Sequence, residues 1–269
     1  MKKVSQKRLL SVIVPTYRQA KTIIKDIRRI EKVLGQIRYD YEVIVVVDGK
    51  KVDGAWESLR KIKSPKIKIT GYDYNQGKGH AVRYGMARAK GDLIAFLDAG
   101  MDVNPNGLSM LLEHFEWYNA DIIVGSKRHP VSKVKYPLQR KILSWGYQIL
   151  CRILFGLNIR DTQVGMKFFR REVLKDVLPR LLVKQYAFDI EILSVAYRLG
   201  YKRIFEAPID IEWDQKTSLV SRSILKTILK MLVDTAAVFY RLKILHYYDD
   251  YNKHKWRHDS ELTFKLNAS

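Results

Sequence analysis

The segment Asn75 to Asp102, NQGKGHAVRYGMARAKGDLIAFLDAGMD, assembles residue types suited to gripping a diphosphate. Gly77 and Gly79 flank Lys78, so backbone can come close to a ligand while the ammonium sets a point charge against phosphate oxygens. Leu93 to Leu97 is an apolar run of strand length that delivers Asp98 to its carboxyl end, where ligands bind in open α/β sheets. A carboxylate there can hold a divalent cation (Mg2+ or Mn2+), which neutralises a diphosphate leaving group, and Asp102 lies in the same acidic turn. The alternatives are a capping turn ahead of a helix near Pro105 for the two aspartates, and a surface lysine in a glycine turn for Lys78.

These residues need a frame, and the first half of the chain supplies alternating elements. Leu9 to Pro15 reads as a strand, Lys21 to Leu34 as a helix with apolar Ile23, Ile24, Ile27, Ile30 and Leu34, and Tyr41 to Val47 as a second strand. Gly54 to Lys61 and Ala81 to Ala89 read as helices, Lys66 to Tyr72 as a strand, then Asn106 to Tyr118 as a helix and Ala120 to Ser126 as a strand. Such alternation predicts an α/β fold with a mostly parallel sheet covered by helices on both faces. Further on, Pro130 to Pro137 reads as a loop, Leu138 to Phe155 as a helix, Phe168 and Phe169 as the close of a short strand, and Ala187 to Leu199 as a helix. Tyr201 to Trp213 is expected to be a last strand segment with Pro208 at an edge or bulge. Ser223 to Leu245 has the spacing of an amphipathic helix, and the polar stretch from Tyr247 is expected to be mobile. The organisation expected is one unit over 1–215, divided at 126/127, an amphipathic region over 216–246 and a tail over 247–269.

The chain has 269 residues and a formal net charge of +21. Its 47% hydrophobic and 29% charged residues are ordinary for a globular protein and exclude disorder throughout. A single cysteine, Cys151, excludes an internal disulfide framework, and its neighbours Leu150, Ile153 and Leu154 point to buried packing. The stretch from Ile122 to Arg160 carries Lys127, Arg128, Lys133, Lys135, Arg140, Lys141, Arg152 and Arg160 without one acid, and Gln215 to Val233 is also acid-free. Aliphatic and aromatic interleaving favours peripheral contact with an anionic membrane surface over a merely solvated face. No run approaches the roughly 18 apolar residues of a spanning helix. Nucleic acid is not expected as a partner, for no helix-turn-helix, RNP-like aromatic pair or zinc spacing is found. His80 reads as a helix-start residue and His129 as a loop residue rather than as bases.

Taken in order, SVIVPTYRQAKTI, EVIVVVDGKKVDG, NQGKGHAVRYG, LDAGMD, GSKR, RDTQVGMKFFRRE and AFDIEIL resemble the motifs of family 2 glycosyltransferases, most closely the dolichol-phosphate mannose and glucose synthases. The resemblance implies a Rossmann-like nucleotide-binding domain of the glycosyltransferase A type, a nucleotide-sugar donor (GDP-mannose or UDP-glucose), a divalent cation and a polyprenyl or dolichyl phosphate acceptor. It implies that Pro15, Thr16, Tyr17 and Asp48 line base and ribose, that Gly77, Lys78 and Asp98 serve the diphosphate, and that Asp98 and Asp102 hold the metal. Arg128, Arg140, Ser144 and Gln163 would hold the acceptor, and Asp98, Asp102, Arg128 and Lys78 would carry the chemistry. The expected location is the cytoplasmic face of a membrane, with an integral-membrane partner or self-association as further options. Three departures stand out: the second carboxylate of the family's DxD is Gly100, the Asn-Glu after the tyrosine is Arg18-Gln19, and the Asp-Asp pair is Val47-Asp48. Two other readings stay open: transfer to a hydroxyl acceptor with Asp189 as base, and a catalytically weakened protein that binds a nucleotide sugar or an anionic polymer.

Overall fold

The computed structural model describes residues 8–100, 103–135, 138–212, 224–257 and 259–264. The central sheet has seven strands in the order β3-β2-β1-β4-β7-β5-β8. They are β1 (Leu9–Thr16), β2 (Asp40–Asp48), β3 (Ile67–Tyr72), β4 (Leu93–Leu97), β5 (Ile122–Ser126), β7 (Met166–Arg170) and β8 (Ile204–Pro208). All neighbours pair in parallel except β7, which runs antiparallel to both β4 and β5. β4 and β5 are buried at every residue, as strands covered on both faces must be.

Alternation within each strand distributes its side chains between two cores. Leu10, Val12 and Val14 of β1 join one cluster with Ile23, Ile27, Ile30 and Leu34 of α1 (Ile23–Leu34) and Leu108, Leu111 and Phe115 of α4 (Gly107–Trp117). Ile13 of β1 and Phe96 of β4 join the other, beneath α3 (Lys78–Met86), α6 (Arg171–Val177) and α7 (Phe188–Arg198). The short α2 (Ala55–Leu59) adds Leu59 to the first cluster. The doubly covered α/β sheet is as expected.

Three local expectations differ. The loop expected over 130–137 contains β6 (Lys133–Lys135), which pairs in parallel with β9 (Asp210–Glu212), so the last strand segment splits after Pro208 at the edge of the main sheet. α3 begins at Lys78 rather than at Ala81. The tail is not free along its described length: Tyr248 is fully buried, Asn252 and Leu262 are buried, and Trp256 sits under the Arg180 guanidinium. Sparse apolar residues in a polar stretch give no periodic signal, although Tyr248 and Leu262 fill places in the core.

The two amphipathic helices, α5 (Leu138–Phe155) and α8 (Ile224–Lys243), pack against each other through a hydrogen bond of 2.7 Å between the Tyr147 and Thr235 hydroxyls. Their inner residues Cys151, Phe155, Val238 and Leu242 are buried, while Trp145, Ile149 and Ile153 of α5 and Leu229, Val233 and Tyr240 of α8 are exposed. Among the described residues no helix is long and apolar enough to cross a membrane.

Candidate active site

β4 ends at Leu97 and hands the chain to Asp98 at the carboxyl end of the parallel strands, as expected. The Asp98 amide donates to the Gly165 carbonyl at 2.8 Å, which pins the turn to the segment leading into β7. Gly165 is indispensable there, because a Cβ on it would lie 1.9 Å from Asp98 Oδ2. That carboxylate oxygen accepts from Lys78 Nζ at 2.9 Å, while Oδ1 is buried with no hydrogen-bond partner. An unpartnered buried carboxylate oxygen is costly unless something cationic completes it.

Lys78 also reaches Asp189 Oδ2 at 3.2 Å, and the other Asp189 oxygen accepts from Lys167 Nζ at 2.5 Å. Lys167 is fully buried on β7 and donates a further bond to the Val164 carbonyl at 2.6 Å. Four alternating charges, Asp98, Lys78, Asp189 and Lys167, therefore run from the rim of the site into the core. Burial alone would discharge Lys78, but Asp189 and Asp98 outweigh it and push its pKa above the ordinary lysine value. Burial likewise works against the Asp189 carboxylate, yet Lys167 and Lys78 hold it below the usual aspartate value. Burial lowers the pKa of Lys167, helped by repulsion from Lys78 and opposed by Asp189.

The glycines of the Gly77–Lys78–Gly79 turn do a different job from the one expected. A Cβ on Gly77, whose φ is 102°, would lie 2.5 Å from the Lys184 carbonyl oxygen, and one on Gly79 would lie 2.8 Å from that of Val183. Both make room for the protein's own Val183–Phe188 segment, against which the turn is seated. Asp48 at the end of β2 also differs in detail. Its carboxylate accepts from Asn75 Nδ2 at 2.7 Å and from the Gln76 and Gly77 amides at 2.7 and 3.0 Å. It shapes the turn ahead of Lys78, and burial raises its pKa against those bonds.

On the other side of Asp48, Pro15 and Thr16 pair with Val46 and Val47, so Tyr17 and Asp48 emerge together from adjacent strand ends. Thr16 is buried and its hydroxyl donates to Gln19 Oε1 at 3.2 Å, and Tyr17 is half-buried beneath the Arg18 guanidinium. Two of the three departures from the family motifs meet here. Gly100 has φ 100°, a region that disfavours an L side chain, and a Cβ on it would come within 2.9 Å of Gln19 Nε2. An aspartate at 100 is thus opposed by backbone conformation as well as by Gln19.

Of the residues expected on the acceptor side, Arg128 follows β5 and meets Ser144. Its guanidinium donates to Ser144 Oγ at 3.2 Å and to the Arg160 carbonyl at 3.0 Å, and among the described residues no carboxylate neutralises it. Gln163 is placed by its own amide, which donates to Asp161 Oδ1 at 3.1 Å, and its side-chain Nε2 is buried without a partner. Asp161 also accepts from the Lys127 amide at 3.1 Å and faces Lys127 Nζ at 3.4 Å. Beside Arg128 a cleft of about 1190 Å3 opens between α5 and β8, with Trp145, Gln148, Arg152 and Arg160 on its walls. Arg140 lies on α5 with its side chain outside the described residues, and Asp102 lies outside them altogether.

Sequence reasoning missed Lys167. Asp189 and Glu191, both within the AFDIEIL motif, are buried. Asp189 as a general base is corrected, since each of its oxygens is held by a buried ammonium. The only cue was a lysine inside the apolar strand MKFFR, whose acidic partner lies 22 residues further on. His80 is no base either: it packs edge-on against Tyr72, and burial drops its pKa to about 4. Burial raises the Cys151 thiol to about 11, in keeping with a packing role.

Strand order, the acidic turn after β4 and a lysine held at the start of α3 define an α/β protein with charged groups at the carboxyl ends of its parallel strands, where ligands bind in such sheets. A family model described as glycosyl transferase family 2 matches residues 11–178, and the chain belongs to that family. It is 30% identical over 220 residues to the dolichyl-phosphate beta-glucosyltransferase of Dictyostelium discoideum, covering 77% of this chain and 66% of that one. To the human protein of the same name it is 33% identical over 226 residues, covering 77% and 67%. To the undecaprenyl-phosphate mannosyltransferase of Micrococcus luteus it is 30% identical over 205 residues, covering 73% and 81%. The fold is shared with glucosyl-3-phosphoglycerate synthase from Mycobacterium tuberculosis, solved with UDP and, separately, with Mn2+, UDP and product. Those structures align with TM-scores of 0.64 and 0.63 at 17% and 19% identity, each over 87% of this chain and 79% of the other.

A divalent cation fits what is present at Asp98. Among the described residues no three carboxylates, histidines or cysteines converge to enclose a metal. The free Oδ1 of Asp98 nevertheless supplies one carboxylate ligand, and one or two suffice when substrate phosphates complete the shell.

Two outcomes follow from this geometry. Gly165→Ala forces Asp98 aside, and its Mn2+ affinity, titrated with nucleoside diphosphate present, is expected to fall about tenfold or more; unchanged affinity would show that Asp98 does not hold the ion. Between pH 6.5, the ordinary histidine value, and about 4, the unfolded chain binds a proton at His80 that the folded chain refuses. Stability conferred by neutral His80 is therefore complete above that window and is lost as pH falls through it. The difference in urea midpoint between wild type and His80→Phe should shift in that direction across the window, and a pH-independent difference would contradict it.

Proposed function

We propose that this chain transfers a hexose from a nucleotide sugar, UDP-glucose or GDP-mannose, to a polyprenyl phosphate at the cytoplasmic face of a membrane. The observation that carries the reading is that one short loop ties donor and acceptor groups together. The Gly165 carbonyl fixes the Asp98 amide, and Asp161, at the loop's other end, fixes the Lys127 amide next to Arg128. The relatives named above act, by their names, on dolichyl or undecaprenyl phosphate, which supports the acceptor class.

A phosphate acceptor is already anionic at neutral pH, so attack on the anomeric carbon needs little help from a base. Engagement of both Asp189 oxygens disfavours the alternative of a hydroxyl acceptor, which needs a free carboxylate. Lys78, kept protonated by Asp189, meets the charge that develops on the departing nucleoside diphosphate. When bound at Asp98, and at Asp102 if that residue joins it, the cation adds Lewis-acid neutralisation of the same leaving group. Arg128, steadied by Ser144 and the Arg160 carbonyl, orients the attacking phosphate, and Gln163 and Arg140 complete the acceptor side. Pro15, Thr16, Tyr17 and the turn shaped by Asp48 receive base and ribose. In-line attack inverts the anomeric centre. The exposed apolar residues of α5 and α8, with acid-free basic stretches alongside, suit them to lie in a lipid interface.

Purified protein is to be incubated with Mg2+ or Mn2+, dolichyl or undecaprenyl phosphate, and labelled UDP-glucose or GDP-mannose. Cation-dependent label in the organic phase, with inverted configuration, is the expected outcome, and Asp98→Asn should lower it about a hundredfold or more. Retained configuration, or no transfer by protein that binds nucleotide normally, would overturn the reading.

A further inference from the structure

The stretch after α8 reaches the Lys78 turn from behind, through a carboxylate in the core. Glu191, on α7, is fully buried and accepts from the Leu182 and Val183 amides at 3.0 and 2.9 Å. Its third donor is the hydroxyl of Tyr248 at 2.8 Å, also fully buried, with Arg241 further out at 3.7 Å. The segment that Glu191 secures is the one against which the glycine turn is seated. The Lys184 carbonyl accepts from the His80 amide at 3.2 Å, and the approach of Lys184 and Val183 to Gly77 and Gly79 leaves no room for a Cβ. Lys78 lies between those two glycines.

Tyr248 is itself held in place. Arg180 donates to the Tyr248 carbonyl at 2.6 Å and to Asp250 at 2.8 Å, and Asn252 Nδ2 donates to the His246 carbonyl at 3.0 Å. A hydroxyl donated to a buried carboxylate is directional and about twice as strong as a bond between neutral groups. A phenol that merely filled space would need no such partner. Tyr248, Glu191 and the Leu182–Phe188 segment all lie beyond the residues matched by the family model, which ends at 178.

We propose that Tyr248 is a positioning residue for the donor site: through Glu191 it fixes the Leu182–Phe188 segment and thereby the register of the Gly77–Lys78–Gly79 turn. Its functional half rests on the reading of Lys78 as a ligand of the donor diphosphate. The C-terminal segment is then part of the donor site without touching the donor.

Tyr248→Phe in the full chain removes one hydroxyl and keeps the ring. Leu262→Ala is the matched control, a buried truncation in the same terminal segment at a side chain that has no group to donate to Glu191. Amide hydrogen exchange should quicken in Tyr248→Phe at Leu182, Val183 and residues 76–80, with the strands of the sheet unchanged, and should not do so in Leu262→Ala. Affinity for UDP or GDP with Mn2+ should fall about tenfold in Tyr248→Phe and stay at the wild-type value in Leu262→Ala, even at equal loss of melting temperature. Glu191→Gln probes the same link should Tyr248→Phe fail to fold. Exchange changes confined to residues 246–257, or equal effects of Tyr248→Phe and Leu262→Ala on exchange and affinity, would overturn the proposal. If wild type binds no nucleoside diphosphate, the donor reading falls, while the exchange pattern still decides whether Tyr248 governs the turn.

Discussion

The site depends on keeping a charged lysine in place inside a protein. An ammonium as deeply placed as Lys78 would lose its proton unless carboxylates outweighed the loss of solvation, and Asp189 and Asp98 do so from two sides. Asp189 in turn is buried and would not stay ionised without Lys167, which is fully buried as well. Removing Asp189 would leave the buried Lys167 without a carboxylate, and breaking a buried pair by deleting one partner costs about 3–5 kcal/mol. Its outer end, Asp98, is the member left with a free oxygen, and that is where chemistry can occur.

The inserted strand β7 explains how the charges are brought together. Running antiparallel between β4 and β5, it places Lys167 opposite Phe96 and Val124, so its ammonium lies beneath the Asp98 turn. Val164 and Gly165, immediately before β7, grip Lys167 and Asp98 through their carbonyls. The stretch Asp161 to Lys167 thus holds the Asp98 turn, the buried charge and the arm that carries Arg128. So short a stretch reaches both turns because β7 lies between β4 and β5.

Much of this was legible in the sequence. The apolar run Leu93 to Leu97 predicted the strand and its acidic exit, the helix Leu138–Phe155 was predicted to the residue, and Arg128 and Ser144, both assigned to the acceptor by the family resemblance, share a hydrogen bond. The illegible parts share a physical cause. A five-residue strand buried on both faces has the same composition whether it runs parallel or antiparallel, so the direction of β7 left no mark. Acidic residues on a helix read as exposed unless their cationic partners are known, and Lys167 and Lys78 lie far from Asp189 along the chain. The glycines of the Lys78 turn were read as facing a ligand because sequence shows the lack of a side chain and not what occupies the space. The tail read as solvated because Tyr248 and Leu262 stand alone among polar residues, although both are buried.

Whether Lys78 meets the leaving diphosphate is decided by comparing nucleoside diphosphate with nucleoside monophosphate in calorimetric titrations of wild type and Lys78→Met. Wild type should prefer the diphosphate and the variant should lose that preference while still binding the monophosphate. An undiminished preference in the variant would contradict the account.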